Sequence, residues 1–371
     1  FAAAWSPVLP NLIIIATLLS LPDPDGPVWE LGDVLDDTRL RLTLGAGATL
    51  GIGAMALVLV PAAIRAGYRP RVRWNPRHPA AKQLVALSLW TLGFVASNIV
   101  ALTIVRNLTE PGSTRATAYI FAFTFFILPH GLLGVSIATT FQPNMARAVA
   151  RRDRQSFIES ASLGIRMTAL LTIPAGVGLF VLRRPLIGLA LEYRNFSPEG
   201  ALETSRALGG FALGLGAFSV YLFVLRCFYA HQDTRTPFVV NAFENVINVV
   251  LAVALVGAFG VLGLGASYAL AYGVVVFWAI QILGWKVPGF PVRQVLWSLW
   301  RMAVAAALMG ESVWFVVRNV GGNTGLDALG RIVVGTIVGV IVYGGLLVAM
   351  GSPELDVLRR RFSRPGPAAA E

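Results

Sequence analysis

Ten stretches of about twenty apolar residues follow one another along the chain, and no other feature limits the fold so severely. They run over 2–21, 43–64, 84–105, 118–141, 164–182, 207–229, 238–258, 261–284, 297–317 and 329–350. Each is close to the length a helix needs to cross the hydrocarbon of a bilayer. None alternates with a period of two, which argues against a transmembrane barrel. Only 13% of the residues are charged and the mean hydropathy is +0.69, whereas soluble chains run near 25% charged. The sequence predicts an all-α polytopic membrane protein with ten transmembrane helices.

The breaks carry turn chemistry, as in Pro22-Asp-Pro-Asp-Gly26, Glu110-Pro-Gly-Ser113 and Gly321-Gly-Asn323. Ten crossings bring both ends to one side. Of the 30 Lys and Arg residues, 20 fall on that side, including the connection 65–83 and the tail 351–371. The acidic stretch from Asp23 to Asp37 falls on the other. The positive-inside rule makes the basic side, and the carboxyl terminus, cytoplasmic. Arg183, Arg184, Arg194 and Arg206, in a predicted 183–206 connection, run against it. The same bias accounts for the net charge of +11, so no nucleic-acid partner is expected. Cys227 is the one cysteine and allows no disulfide framework. His78, His130 and His231 lie far apart, so no metal site and no cofactor are expected, although coupling to an ion or to the membrane potential is open. No nucleophile–base or paired-carboxylate constellation can be assembled, and the chain reads as a non-enzyme. It begins at Phe1 without a methionine or a basic leader, and is expected to be the carboxyl part of something longer.

Polar side chains inside the apolar runs are costly and usually face a bundle interior. Asn241, Asn245 and Asn248 recur at spacings of four and three and so share one helix face, which Glu244 borders. Two readings stand: a water-filled or substrate-facing surface, which is preferred, and an interhelical hydrogen-bond seam. Asn98, Thr103 and Thr124 are weaker instances, and Glu311 is a lone acid in the ninth run. Pro61, Pro129, Pro143 and Pro174 are expected to kink their helices. His130, next to Pro129, reads as a kink histidine bonded to a freed carbonyl, with a proton relay as the alternative. Glycines at 45, 47, 51 and 53, and at 209, 210, 214 and 216, offer small faces for close helix contact.

Two passages go beyond composition. Phe228-Tyr229-Ala-His-Gln232-Asp233-Thr234-Arg235-Thr236-Pro237 joins the sixth and seventh runs, and Leu128-Pro-His-Gly-Leu-Leu-Gly-Val135 lies in the fourth. The first resembles the signature of the MurJ/MviN lipid II flippases, and the second their Leu-Pro-x-Gly-x-x-Gly-Val stretch. Gly164-Ile-Arg166 with Pro174, and Trp5-Ser-Pro-Val-Leu-Pro-Asn11, are similar to two further helices of that family, in the same order. The signature also makes physical sense as a rigid corner, with Pro237 in the first turn of a helix and Asp233 or Thr236 capping its amides.

The resemblance implies a MATE-like transporter fold with two six-helix lobes facing a cavity, and helices five to fourteen of fourteen in this chain. Residues 1–64 would finish the amino lobe, 65–83 form a basic loop, and 84–284 make the carboxyl lobe. Residues 285–350 would be an extra helix pair lining a lipid-facing groove, and 351–371 a basic tail. It implies a flippase of the bacterial plasma membrane that moves a lipid-linked cell-wall precursor by alternating access. The cavity would include Asn98, Thr124, Arg166, Asn241, Glu244, Asn245 and Asn248. Its partners would be that precursor, the bilayer and other cell-wall synthesis proteins. The chain departs from the family at Thr124, where an arginine is usual, and at Thr103 or its neighbour and at Ala252, where some members hold sodium with acids. A polysaccharide or drug exporter of the superfamily, or a non-transporting paralogue acting as a lipid-binding scaffold, are the competing readings.

Overall fold

The structure, a computed structural model, describes residues 5–22, 31–65, 67, 79–193 and 196–354. Residues 23–30 of the acidic stretch, Arg69, Arg71, Arg73, Arg77, His78, Arg194 and the tail from 355 lie outside the described residues. All described elements are helical. They form two units, Phe1–His78 and Pro79–Glu371, divided within the basic connection.

In the first unit, α1 (Val8–Leu19) and the short α2 (Leu31–Asp36) precede α3 (Thr38–Arg65). Two of the four glycines read as a small-residue face make contact with α1. A Cβ on Gly47 would strike the Thr17 side chain, and one on Gly51 would lie 3.0 Å from the Pro10 backbone. Gly45 and Gly53 face open space.

The second unit comprises α4 (Pro79–Asn107), α5 (Thr114–Pro129), a π turn (His130–Gly134), α6 (Val135–Ala150), α7 (Arg154–Leu191) and α8 (Pro198–Ala212). These are followed by α9 (Leu215–Ala230), α10 (Arg235–Lys286), α11 (Val292–Val317) and α12 (Gly325–Ala349). At three of the helix starts the N-cap side chain itself accepts from the first turn. Ser113 accepts from the Ala116 amide, Asp153 from Ser156 and Ser197 from Gly200, the last with Pro198 in the first turn. An aromatic cluster joins α5, α8, α9 and α10, with Phe126, Phe211, Phe218 and Tyr268 stacked edge to face or tilted at 5.4–5.9 Å. The outer faces are apolar as well: Leu50, Leu57 and Leu92 are more than 60% exposed. A surface of this kind needs lipid as its solvent.

Among the described residues, seven helices are long and apolar enough to cross a membrane, or eight if the bent α8–α9 pair counts as one. The difference from ten has two physical sources. At 1.5 Å per residue, the 52 residues of α10 would reach about 78 Å, far more than a bilayer core. Gly260, at φ 56° and ψ −137°, breaks it into α10a (235–259) and α10b (261–286), which correspond to the seventh and eighth runs. At the other end, the described part of the first run is the 12-residue α1, too short to span alone. The 183–206 connection is corrected more substantially. α7 continues to Leu191 and α8 begins at Pro198, so Arg183, Arg184 and Arg206 lie on helices, and the 207–229 run contains a 50° bend after Ala212. Arg184 is neutralised by Glu192 at 2.7 Å and Arg206 by Glu203 at 2.6 Å.

Candidate functional site

The amide-bearing face of α10a packs against α4, and its hydrogen bonds converge on one atom. Asn241 Oδ1 accepts from Asn98 Nδ2 at 2.8 Å, from Ser97 Oγ at 3.2 Å and from Asn245 Nδ2 at 3.2 Å. Asn245 Nδ2 also donates to Ser97 Oγ at 2.9 Å. Asn241 and Asn245 are buried, and Asn98 is half-buried. Asn98, Asn241 and Asn245 thus join α4 to α10a, each amide finding its partner on the facing helix or one turn away. Asn248, one turn on, accepts from Ser267 of α10b at 3.0 Å. The sequence pointed to none of the serines. Ser97 is adjacent to Asn98, and a serine–asparagine pair inside an apolar run is the signal that would have found it.

Glu244 is 1% exposed and sits beside the asparagines, facing the aromatic core. Its electrostatic neighbours are Tyr119 of α5, Tyr221 of α9, and Tyr268 and Tyr272 of α10b. Its Oε1 is buried without a hydrogen-bond partner. His130 lies in the π turn that follows Pro129. Its Nδ1 meets Ser219 Oγ at 2.9 Å, so the expected bond to a freed carbonyl is replaced by a side-chain bond to α9. The proline's disruption is absorbed in the wider π turn.

The remaining candidates lie apart from this seam. Thr124 is exposed and its hydroxyl returns to the Ile120 carbonyl of its own helix at 3.0 Å. Arg166 of α7 pairs with Glu354, just beyond α12, at 3.4 Å. Glu311 is exposed.

The ten-residue signature forms a tight corner between α9 and α10a. The Phe228 carbonyl accepts from the amides of His231 and Asp233, and Gln232 takes a left-handed backbone at φ 57°. Asp233 Oδ1 caps the Thr236 amide at 3.0 Å, and its Oδ2 accepts from the Thr236 hydroxyl at 2.7 Å. Lys286, at the far end of α10b, donates to both Asp233 and Thr236 at 2.6 Å. The corner is thus bolted to the end of the next helix. Burial pushes the Asp233 carboxyl up, but the bonds from Lys286 and Thr236 outweigh it and hold the group below its ordinary value. Arg235 lies over the Trp90 ring at 5.6 Å, while Phe228 is buried and Tyr229 and Pro237 flank the turn.

An apolar groove of about 600 Å³ runs between α7, α11 and α12, with Leu170, Pro174, Leu182, Met309, Gly335 and Tyr343 among its walls. No group of three or more His, Cys, Asp or Glu side chains that could hold a metal occurs among the described residues.

A family model described as lipid II flippase MurJ matches residues 1–333. A probable lipid II flippase MurJ of Rhizobium meliloti (strain 1021) is 26% identical over 376 residues, covering 100% of this chain and 68% of the relative. The probable lipid II flippase MurJ of Vibrio cholerae serotype O1 is 26% identical over 318 residues, covering 84% of this chain and 58% of the relative. The chain therefore spans between about half and two thirds of the length of such relatives. A solved lipid II flippase MurJ in an inward closed conformation superposes with a TM-score of 0.66 at 19% identity, covering 98% of this chain and 68% of the other. An outward-facing multidrug resistance MATE family transporter gives 0.50 at 14% identity, over 72% of this chain and 64% of the other. At these identities the likeness to both structures is one of fold, and the fold is MATE-like.

Proposed function

Because the chain belongs to the lipid II flippase MurJ family, we propose that it serves to translocate lipid II, the lipid-linked peptidoglycan precursor, across the bacterial plasma membrane. The observation that carries this reading is the family match over residues 1–333, which takes in both the signature corner and the α11 helix. The movement is alternating access, in which packed helices rock about a fixed region while the site opens to one side and then the other. In this scheme the groove between α7, α11 and α12 takes the polyprenyl chain, since its walls are almost wholly apolar. The seam of Asn98, Asn241 and Asn245 keeps α4 and α10a together as one moving body. Asn248 and Glu244, with Arg166 and Thr124, are the residues proposed to meet the polar part of the substrate. The proposed membrane orientation has the signature corner and the end of α12 at the cytoplasm. Other proteins of cell-wall synthesis are the partners that such a role calls for, and coupling to an ion or to the membrane potential is the proposed source of direction.

One observation favours a second reading. Thr124, where the resemblance calls for an arginine, has its hydroxyl committed to Ile120 and brings no charge. A member lacking that cation suits a scaffold that binds lipid precursor without moving it. The test is a strain depleted of its own flippase that expresses the full-length protein carrying this chain. Restored growth, with lipid II becoming accessible to a cleaving enzyme added outside the cells, is the expected result. Binding of precursor without such accessibility selects the scaffold.

A further inference from the structure

The last helix does not end in solvent. Gly351, at φ +60°, reverses the chain, with the Ser352 amide returning to the Leu347 carbonyl at 3.0 Å. Ser352-Pro353-Glu354 then turns into the bundle, where Ser352 is 4% and Glu354 1% exposed. Glu354 Oε1 accepts from Ser298 Oγ of α11 at 2.8 Å and meets Arg166 of α7 at 3.4 Å, while Oε2 lies 3.7 Å from Arg301 of α11. The arginines are not surface groups, their side chains being 23% and 16% exposed. Two guanidinium groups and a hydroxyl from two helices therefore converge on one carboxylate.

That carboxylate is an incomplete match. Arg301 Nε, Glu354 Oε2 and Ser352 Oγ are all buried without a hydrogen-bond partner. The site also holds two positive charges against one negative. Guanidinium groups suit phosphate geometry, and a phosphate brings a third oxygen and more charge. The site stands at the end of the apolar groove. Leu170, one turn from Arg166, lines that groove, as does Leu347, to whose carbonyl Ser352 is bonded.

We propose that Arg166, Arg301 and Ser298 form a phosphate site at the end of the groove. Glu354 is an intrachain carboxylate that occupies it until a phosphate-bearing isoprenoid displaces it. The Gly351–Glu354 turn is then a latch, closed when the groove is empty and open when an anionic lipid is seated. The inference deepens the proposed function and rests on its substrate class, but it is read separately, because displacement of the turn is measurable whether or not transport occurs.

The experiment is maleimide labelling of the purified Ser352→Cys chain, in which Cys227 stays silent because it is fully buried. The probes are farnesyl diphosphate, inorganic pyrophosphate and farnesol. The introduced thiol should label slowly alone and several times faster with farnesyl diphosphate. A rise with farnesyl diphosphate but not pyrophosphate supports a lipid headgroup as the ligand, and a rise with both supports a free anion as well. With Glu354→Gln added, the response should appear at about tenfold lower concentration, as expected when a competing counter-ion is removed. With Arg166→Gln and Arg301→Gln added it should vanish. Labelling that is fast without any probe, unchanged by all three, or equally raised by farnesol overturns the proposal. The parent Ser352→Cys chain retains both arginines and Glu354, so misfolding of an arginine variant leaves the test standing.

Discussion

Replacing Asn241 with leucine removes the acceptor on which the seam converges. Three donors lose it at once: Ser97 Oγ, Asn98 Nδ2 and Asn245 Nδ2. Two of them keep a second partner, since Asn98 also donates to the Phe94 carbonyl at 2.8 Å and Asn245 to Ser97 Oγ at 2.9 Å. The Ser97 hydroxyl can turn to a carbonyl of the preceding helical turn. The cost is therefore close to that of the three bonds alone, at about 0.6 kcal/mol each within a membrane, or about 2 kcal/mol in all. Reversible unfolding of the purified protein in mixed micelles measures it. A double-mutant cycle with Asn98→Leu should give a coupling of about 0.6 to 1.7 kcal/mol, the range for a bond between membrane helices. If Asn241→Leu unfolds like the parent yet transports nothing, or if the coupling falls below about 0.3 kcal/mol, the seam is not what holds these helices together.

Asn248→Leu loses only the bond from Ser267; if Asn248 meets substrate, transport should stop while stability falls by no more than about 2 kcal/mol, and a joint loss restored by Asn248→Ser argues for packing instead. Lys286→Met tests the signature corner. A carboxyl held low in the folded state, as at Asp233, adds stability that is present above its ordinary value of 3.8 and is lost as pH falls through the depressed value. Without Lys286 the folded carboxyl is held down less, so that loss should become smaller and be complete at higher pH, as thermal unfolding between neutral and acid pH would reveal. Gly265 and Gly210 bring α10b and α8 into backbone contact, with a Cβ on Gly265 only 2.6 Å from the Ala207 carbonyl oxygen. Gly265→Val should therefore lower stability by about 1 to 3 kcal/mol or more, and an unchanged unfolding midpoint would contradict that packing. For sidedness, a cysteine at Gly322 should label from outside intact cells and one at Arg152 should not; the opposite pattern reverses the proposed orientation.

The helices were legible because lipid leaves little choice: a backbone in hydrocarbon must satisfy its own hydrogen bonds, so length and hydropathy suffice to mark each crossing. What composition did not disclose was where crossings fuse or bend. Gly260 breaks α10 with a backbone only glycine adopts readily, yet it stands among Gly257, Gly263 and Gly265, all of which are helical. A run of glycines does not announce which member turns. The 183–206 connection differs for another reason: the apolar run ends at 182, but the helix continues because Arg183 bonds the Phe180 carbonyl and lies over its ring at 4.4 Å, and Arg184 pairs with Glu192. A long side chain that satisfies its charge locally can continue a helix.

The polar residues divide along the same line between what is periodic and what is paired. Spacings of four and three put Asn241, Asn245 and Asn248 on one face, and the structure retains that face. Period fixes a face relative to its own helix, however, and says nothing of the neighbour toward which it is turned. Asn241 and Asn245 meet α4, Asn248 meets α10b, and Glu244 turns to the tyrosines, so one stripe addresses three surroundings. Glu354 makes the complementary case. It has no periodicity, it lies beyond the last apolar run, and its partners Arg166 and Arg301 are 188 and 53 residues away in sequence. Only the left-handed glycine at 351 and the rigid Pro353 beside it carry a local trace of the turn. A charge buried by the chain's own return is therefore visible only once the helices that receive it are in place.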